Sequence, residues 1–500
     1  QKRKTLIYTL NITSFSFSWR NKMSKHKTSE KALKKSGRCL GKLVEKYMAF
    51  LDDARTPEYA VEAAARMLDT NGFVKYGSAE WNNLRSQNDG GYALSKRNGL
   101  YFVDRNGVNI AAVKPPMYSR GISSHNLKGY GVNIAGAHVD FCTLTNKVTS
   151  LVKKTDGAYL DTRPYGGFYA HQWMDRPLEI IGKTLVKTKD GRKQVKWKIQ
   201  GNIPEPTIHN PKGYKDGTKA YNDMFPLENL DVFTGYKDEK AFLKALNSSL
   251  PEGSPKITLE DFNSGFTQFY TVPAEKTQKI GDYIIGYGHD DRACLFSALE
   301  AIISVDRENL DYPAIALGVA REEIGSSSVG SANDTFLENV IRKLCAFEHS
   351  NLELRQVYES SVMLSADVDI AYTPQNEHVS DKNNCAQFGK GAAIVIANGS
   401  SGNPTGNIIM PNDLAYIERF LDKRDLAYQV TALPSKVGIG GGGGTIAEYY
   451  SQKGILTADL GVPVGNMHGT TSRIYAADLD STVECFKALF EREEKREMWG

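Results

Sequence analysis

The sequence predicts an α/β protein: a mixed, mostly parallel sheet flanked by helices, carrying an inserted β-rich second domain. Two observations lead there. After residue 284, short unbroken apolar runs at 313–320, 361–366, 392–397 and 455–460 alternate with helical segments. Strands buried on both faces read this way when helices return between them. Between about 144 and 283 the character changes to hairpin signals, prolines and glycines, with no strong helical pattern before about 238. Five hundred residues also exceed one simple core, so at least two domains are expected.

The elements follow in chain order. Residues 1–22 begin basic and turn moderately apolar, without the clean apolar stretch or small-residue cleavage site of a signal peptide. They are expected to be a disordered leader, with Met23 reading as a natural start. "NIT" at 11–13 is a glycosylation sequon, a pattern frequent by chance. A first catalytic segment, 23–143, opens with helical stretches at 43–51 and 59–68 separated by Pro57, then strands at 98–103 and 130–138. Residues 178–201 are two strands joined by a Lys-Asp-Gly turn, the clearest mark of an insertion spanning 144–283. The second catalytic segment, 284–500, carries "FLENVIRKLCAF" (336–347), with Phe336, Leu337, Val340, Ile341 and Leu344 on one helical face. Segments 416–421 and 481–491 behave alike. Apart from the glycine run at 440–444, no repeat or low-complexity segment occurs.

Composition narrows the function. The net charge of +4 is small for this length, and no basic stripe with interleaved aromatics is present, which argues against nucleic-acid binding. No apolar run reaches the ~18–20 residues of a membrane span. The six cysteines are scattered, without CxxC spacing. That fits a reducing, cytoplasmic setting and argues against a thiolate zinc site.

Metal-competent side chains collect where strands end, which is where open α/β sheets bind ligands. "NIAGAHVD" ends a strand with His138, and Asp140 follows. "GYGHDDRACLFSALEAI" puts Asp290 and Asp291 at the start of an amphipathic helix. "VAREEIGSSSVGS" sets Glu322 and Glu323 directly after a buried run. Strand side chains alternate, so one of that pair can face a metal and the other a water; a solvated surface turn is the alternative. "VMLSADVD" ends with Asp367, and "VGNMHGTTS" supplies His468 after "ILTADLGV". Taken singly, each has a plain structural explanation: packing for a histidine, helix capping or a turn for an aspartate. Together they make two histidines and at least three carboxylates, a donor set suited to zinc or a similar ion. Five ligands exceed one tetrahedral site but suffice for two ions if one carboxylate bridges.

"GAHVD", "YGGFYAHQWMDRPL", "GHDDRACL", "REEIGSSSVGSA", "LSADVDIA", "GGGGTIAEYY" and "PVGNMHG" resemble, in order, the motifs of the M18 aspartyl aminopeptidase (aminopeptidase I) family. The resemblance runs over roughly 44–490. It implies two Zn2+ per subunit, with Co2+ or Mn2+ able to substitute. His138 and Asp367 would hold one ion, Glu323 and His468 the other, and Asp290 would bridge them. Glu322 would be the general base, and Asp140 would orient His138 through its second ring nitrogen. His171 matches a histidine that reaches a neighbouring subunit's active site, and Lys390 a basic residue near the acidic side chain of the substrate. The expected partners are peptide substrates and further copies of the chain, in a dodecamer built from dimers. The expected reaction removes the N-terminal residue of peptides, with acidic residues preferred. Alternatives are an aminopeptidase for neutral residues, an N-acyl amino acid deacylase keeping the same metals, and a scaffold with a decayed site.

Three segments depart from the resemblance. Val139-Asp140-Phe141-Cys142 stands where Thr-Asp-Ser-Pro is usual, Gly469 where serine is common, and "DDR" where Asp-Asn is common. None removes a ligand; all bear on the acidic preference. The run "GIGGGGGT" (438–445) lacks the Lys-Ser/Thr of a phosphate loop. It is expected to let backbone approach the substrate or to form a tight turn.

Overall fold

The computed structural model describes residues 40–87, 98–117, 131–205, 225–347, 353–397, 407–432 and 444–493. The expected leader at 1–22 and all but the last residue of the glycine run at 440–444 lie outside them.

A nine-stranded sheet forms the centre. Its strands in chain order are β1 (Phe73–Lys75), β2 (Gly99–Val103), β3 (Ile110–Lys114), β4 (Asn133–His138), β5 (Ala314–Val319), β6 (Val362–Ser365), β7 (Ala392–Val395), β8 (Tyr428–Thr431) and β9 (Leu456–Gly461). Their spatial order is β1-β2-β3-β5-β4-β6-β9-β7-β8. The middle four, β5, β4, β6 and β9, are mutually parallel, while β2–β3, β3–β5 and β9–β7 are antiparallel. Every residue of β4 and β5 is buried, as unbroken apolar runs require when both faces are covered.

Helices cover both faces. Helices Leu40–Asp53, Pro57–Thr70, His289–Ser304, Pro411–Asp422 and Ala476–Phe490 share one core with Tyr47, Leu68, Phe296, Leu479 and Phe486. Helices Phe336–Phe347 and Ala447–Ser451 close the other around Trp81, Leu337, Ile341 and Tyr450. Pro57 opens the second helix as its first residue, after Thr56, whose hydroxyl accepts the Tyr59 N–H. The helix His289–Ser304 corrects an expectation. It is buried all round rather than amphipathic, thirteen of its sixteen residues being buried, because it is wedged between β4, β5 and three other helices.

Strands between 143 and 273 form a separate six-stranded antiparallel sheet, packed over Trp173, Trp197, Phe242, Phe262 and Phe269. Its hairpin Leu178–Thr188/Gly191–Gly201 pairs Thr188 with Gly191, so Lys189 and Asp190 make the two-residue loop. A third sheet joins Tyr283–Gly286 to Ser472–Tyr475.

Candidate metal centre

Parallel pairing aligns Val319 of β5 with His138 of β4, so the residues after these two strands emerge side by side. Asp367 follows β6 by two residues. The histidine at 138 is 2% exposed, and its main-chain N–H donates to Asp291 Oδ2 at 3.1 Å. Asp290 and Asp291, at the N-terminus of the buried helix, depart from helical backbone angles, and Asp290 turns toward the strand ends.

Asp290 sits between the two histidines. Its Oδ1 lies 3.0 Å from His138 Nε2 and its Oδ2 lies 3.2 Å from His468 Nε2. Asp367 and Glu322 each approach His138 Nε2 to 3.9 Å, and Glu323 approaches His468 Nε2 to 3.5 Å. The structure thus brings together six residues singled out in the sequence, from segments up to 330 positions apart (138 to 468).

The two glutamates separate for a reason other than strand alternation. The strand stops at Val319. Arg321 is left-handed at φ 67°, and residues 322–324 form a single 3-10 turn. Asp140, fully buried, anchors that turn: its Oδ1 accepts the Glu322 N–H at 3.2 Å and its Oδ2 the Glu323 N–H at 3.3 Å. Oδ2 also accepts the Tyr165 hydroxyl at 3.0 Å, while His138 Nδ1 lies 3.2 Å from the main-chain oxygen of Asp140 and 3.4 Å from its Oδ1.

Burial dominates the proton equilibria of the acids. It raises Glu322 well above its ordinary value, with Asp367 and Glu323 adding, and raises Glu323, with Asp290 adding. Asp367 is pushed up to about 8 by burial, with the charges of Asp290 and Asp459 adding. At Asp290 burial is outweighed by hydrogen bonds from His138 and His468, which hold it well below the ordinary range. Burial opposes charge on the imidazoles too. Yet Asp140 and Asp290 raise His138 well above its usual value, and Asp290 and Glu323 lift His468 to about 10. Raised carboxylates beside raised imidazoles mark a place where positive charge is favoured. A divalent cation would relieve both shifts, since it takes carboxylates ionised and imidazoles neutral. Glu323 Oε1 and Asp291 Oδ1 are moreover buried without a hydrogen-bond partner. These residues fit zinc.

A family model described as aminopeptidase I zinc metalloprotease (M18) matches residues 50–490. The chain belongs to the M18 family. Two relatives named probable M18 family aminopeptidase 1, from Thermotoga maritima and Clostridium acetobutylicum, are 28% and 29% identical to it. They align over 90% and 89% of this chain and 95% and 94% of their own. Solved aminopeptidase structures from the same species match with TM-scores of 0.76 and 0.72 at 27% and 26% identity, covering 90% and 89% of this chain and 96% and 94% of theirs. A Saccharomyces cerevisiae mApe1 dodecamer shares the fold, at TM-score 0.68 and 21% identity, over 90% of this chain and 96% of that one. This M18 chain is accordingly a zinc metallo-aminopeptidase.

Two further residues are expected at the M18 site. His171 is exposed in a short 3-10 turn, its ring 5.9 Å from Tyr169 and 5.6 Å from Phe225. Lys390 follows Gly389 and precedes Gly391, whose N–H groups are both bound by the buried carboxylate of Asp478. Its ammonium pairs with no carboxylate among the described residues.

Sequence reasoning missed three contributors to the M18 centre. Tyr165 holds Asp140, the Gly167 carbonyl lies 2.7 Å from His468 Nδ1, and the Cys142 thiol donates to Glu323 Oε2 at 3.0 Å. Burial, then Glu323, push that thiol upward. The segment "YGG" was visible as a motif, but nothing local shows what it touches. Gly469 has its own explanation. A Cβ there would stand 2.3 Å from Asn466 Nδ2, within a turn where Asn466 and His468 are both left-handed, at φ 59° and 60°.

Proposed function

We propose that this enzyme is a two-metal aminopeptidase in which His138 and Asp367 hold one zinc ion, Glu323 and His468 the other, and Asp290 bridges them. The observation that carries this is the division of Asp290's two oxygens between two histidines. Bound there, zinc, or Co2+ or Mn2+ in its place, would polarise the scissile carbonyl, acidify a water and engage the free α-amine of the substrate. Glu322 takes a proton from the attacking water at a carboxylate oxygen and returns it to the leaving amine. Glu322 lies 3.9 Å from His138 Nε2, beside the proposed ion, where its carboxylate can reach such a water. Asp140 keeps His138 Nε2 directed at the ion by occupying the Nδ1 side. Glu322→Gln tests the division of labour: turnover should fall roughly 10²–10⁴-fold, as for loss of a general base, with metal content retained. Glu323→Gln should instead lose metal and be partly rescued by excess zinc. Near-normal turnover in the first variant would refute the assignment.

A preference for acidic N-terminal residues is proposed on Lys390, whose turn is pinned by Asp478. A panel of aminoacyl substrates tests it, and faster cleavage of neutral residues overturns it. Residues 144–283 are proposed as an oligomerisation domain between catalytic segments 23–143 and 284–500, because their antiparallel sheet packs on its own core. The proposed assembly is a dodecamer built from dimers, supported by the shared fold of the yeast dodecamer. In it the exposed His171 completes a neighbour's site. Mixing His171→Ala with Glu322→Gln subunits should then restore activity in mixed oligomers; stable mixed oligomers without recovery would refute it. A cytoplasmic location is proposed on the six scattered cysteines, which show no CxxC spacing. No described helix is long and apolar enough to cross a membrane.

A further inference from the structure

We infer that Cys142 is a sixth donor of the metal centre, a sulfur ligand to the ion held by Glu323 and His468. The inference rests on the two-metal reading above and adds to it. The Cys142 sulfur, a Glu323 oxygen and a His468 nitrogen all lie within 4.8 Å of one another. One ion with bonds of ~2.0–2.3 Å spans such a triangle after small side-chain shifts. Among the described residues, no other cysteine joins a metal-competent group.

Independent features of the same spot point to a cation. The Glu323 side chain is only 5% exposed, yet its Oε1 has no hydrogen-bond partner. A buried carboxylate oxygen left that way is costly unless an ion takes it. The chain also keeps the space clear: a Cβ on Gly166 would stand 2.5 Å from the Cys142 sulfur and 3.2 Å from Glu323 Oε2. His468, the third corner, is fixed by the Gly167 carbonyl on its far nitrogen, so its Nε2 stays turned toward Glu323.

When the ion enters, the sulfur–hydrogen bond gives way to a sulfur–metal bond and the thiol proton leaves to solvent. Glu323 then binds the ion through both oxygens, Oε2 changing from hydrogen-bond acceptor to ligand and Oε1 gaining a partner. The two metal positions then differ in softness. The His468 side offers sulfur, nitrogen and oxygen, and favours Zn2+, Co2+ or Cd2+; the His138 side offers only nitrogen and oxygen, and tolerates Mn2+. A single thiol in a mixed donor set needs no CxxC spacing.

The test uses the full chain, stripped with a chelator and reloaded with Co2+, the bound cobalt being counted by elemental analysis. Wild type should show a sulfur-to-cobalt charge-transfer band in the near ultraviolet, and Cys142→Ser should lose it. A band retained in Cys142→Ser, or absent from wild type that binds cobalt, overturns the sulfur ligand and leaves the two-metal reading standing. Wild type that binds no cobalt overturns both. Cadmium NMR of the unsubstituted protein reads the same bond without a variant. One resonance should lie downfield of the range for nitrogen and oxygen donors; both within that range overturns the inference.

Discussion

Replacing Asp140 by asparagine isolates the carboxylate on which this site is assembled. Asp140 is fully buried, and its two oxygens receive the Tyr165 hydroxyl and the Glu322 and Glu323 N–H groups, with His138 Nδ1 alongside. Asparagine is nearly isosteric but offers one acceptor oxygen and one NH2 group. Whichever way the amide turns, at least one donor then faces a donor. With the negative charge gone as well, about two charge-assisted hydrogen bonds of roughly 1.5–3 kcal/mol each are lost. The chain should therefore be destabilised by about 3–6 kcal/mol, a large part of the stability of an ordinary domain. The imidazole orientation loosens too, which should weaken zinc binding by about 10–100-fold. Urea unfolding of the chelated protein measures the first effect, and competition with a chromogenic chelator the second. Tyr165→Phe, which removes one of the donors, should show the same changes to a smaller degree. An Asp140→Asn protein within about 1 kcal/mol of wild type and with unchanged zinc affinity would refute the anchoring role.

Two further predictions concern the surroundings of the centre. Gly166→Ala combines a left-handed φ of 75° with a Cβ only 2.5 Å from the Cys142 sulfur, so it should cost roughly 1–3 kcal/mol from backbone strain and lower zinc content, read by unfolding and elemental analysis. His289 is buried against the Tyr47 hydroxyl at 2.6 Å, and burial lowers it to about 3, whereas in the unfolded chain it titrates near ~6.5. Between these values the unfolded chain binds a proton that the native chain does not, so stability is full above ~6.5 and falls as pH drops toward 3. His289→Gln should flatten that part of the profile of unfolding free energy against pH; an unchanged slope would show that His289 does not contribute to it.

Much of the architecture was readable locally. Strands at 313–320, 361–366, 392–397 and 455–460 correspond to β5, β6, β7 and β9, because a segment buried on both faces is apolar at most positions. The side chains that gather at the centre were legible for a related reason. His138, Asp290, Glu322, Glu323, Asp367 and His468 are polar residues at the edges of apolar elements, where a buried ligand set is among the few physical reasons to place them. Periodicity could not say that the helix after His289 is covered on all sides, since that depends on which elements pack around it. Nor could strand alternation sort Glu322 from Glu323: a left-handed Arg321 ends the strand first, and a carboxylate 182 positions away sets the turn. Tyr165, Gly167 and Cys142 belong wholly to the tertiary structure. The Gly167 carbonyl meets His468 across 301 positions, and Cys142 meets Glu323 across 181. A residue's helical or strand period is set by neighbours within a few positions, whereas these contacts exist only because the inserted segment packs Tyr165 and Gly167 against the host, and two separate stretches of the host meet at Cys142 and Glu323.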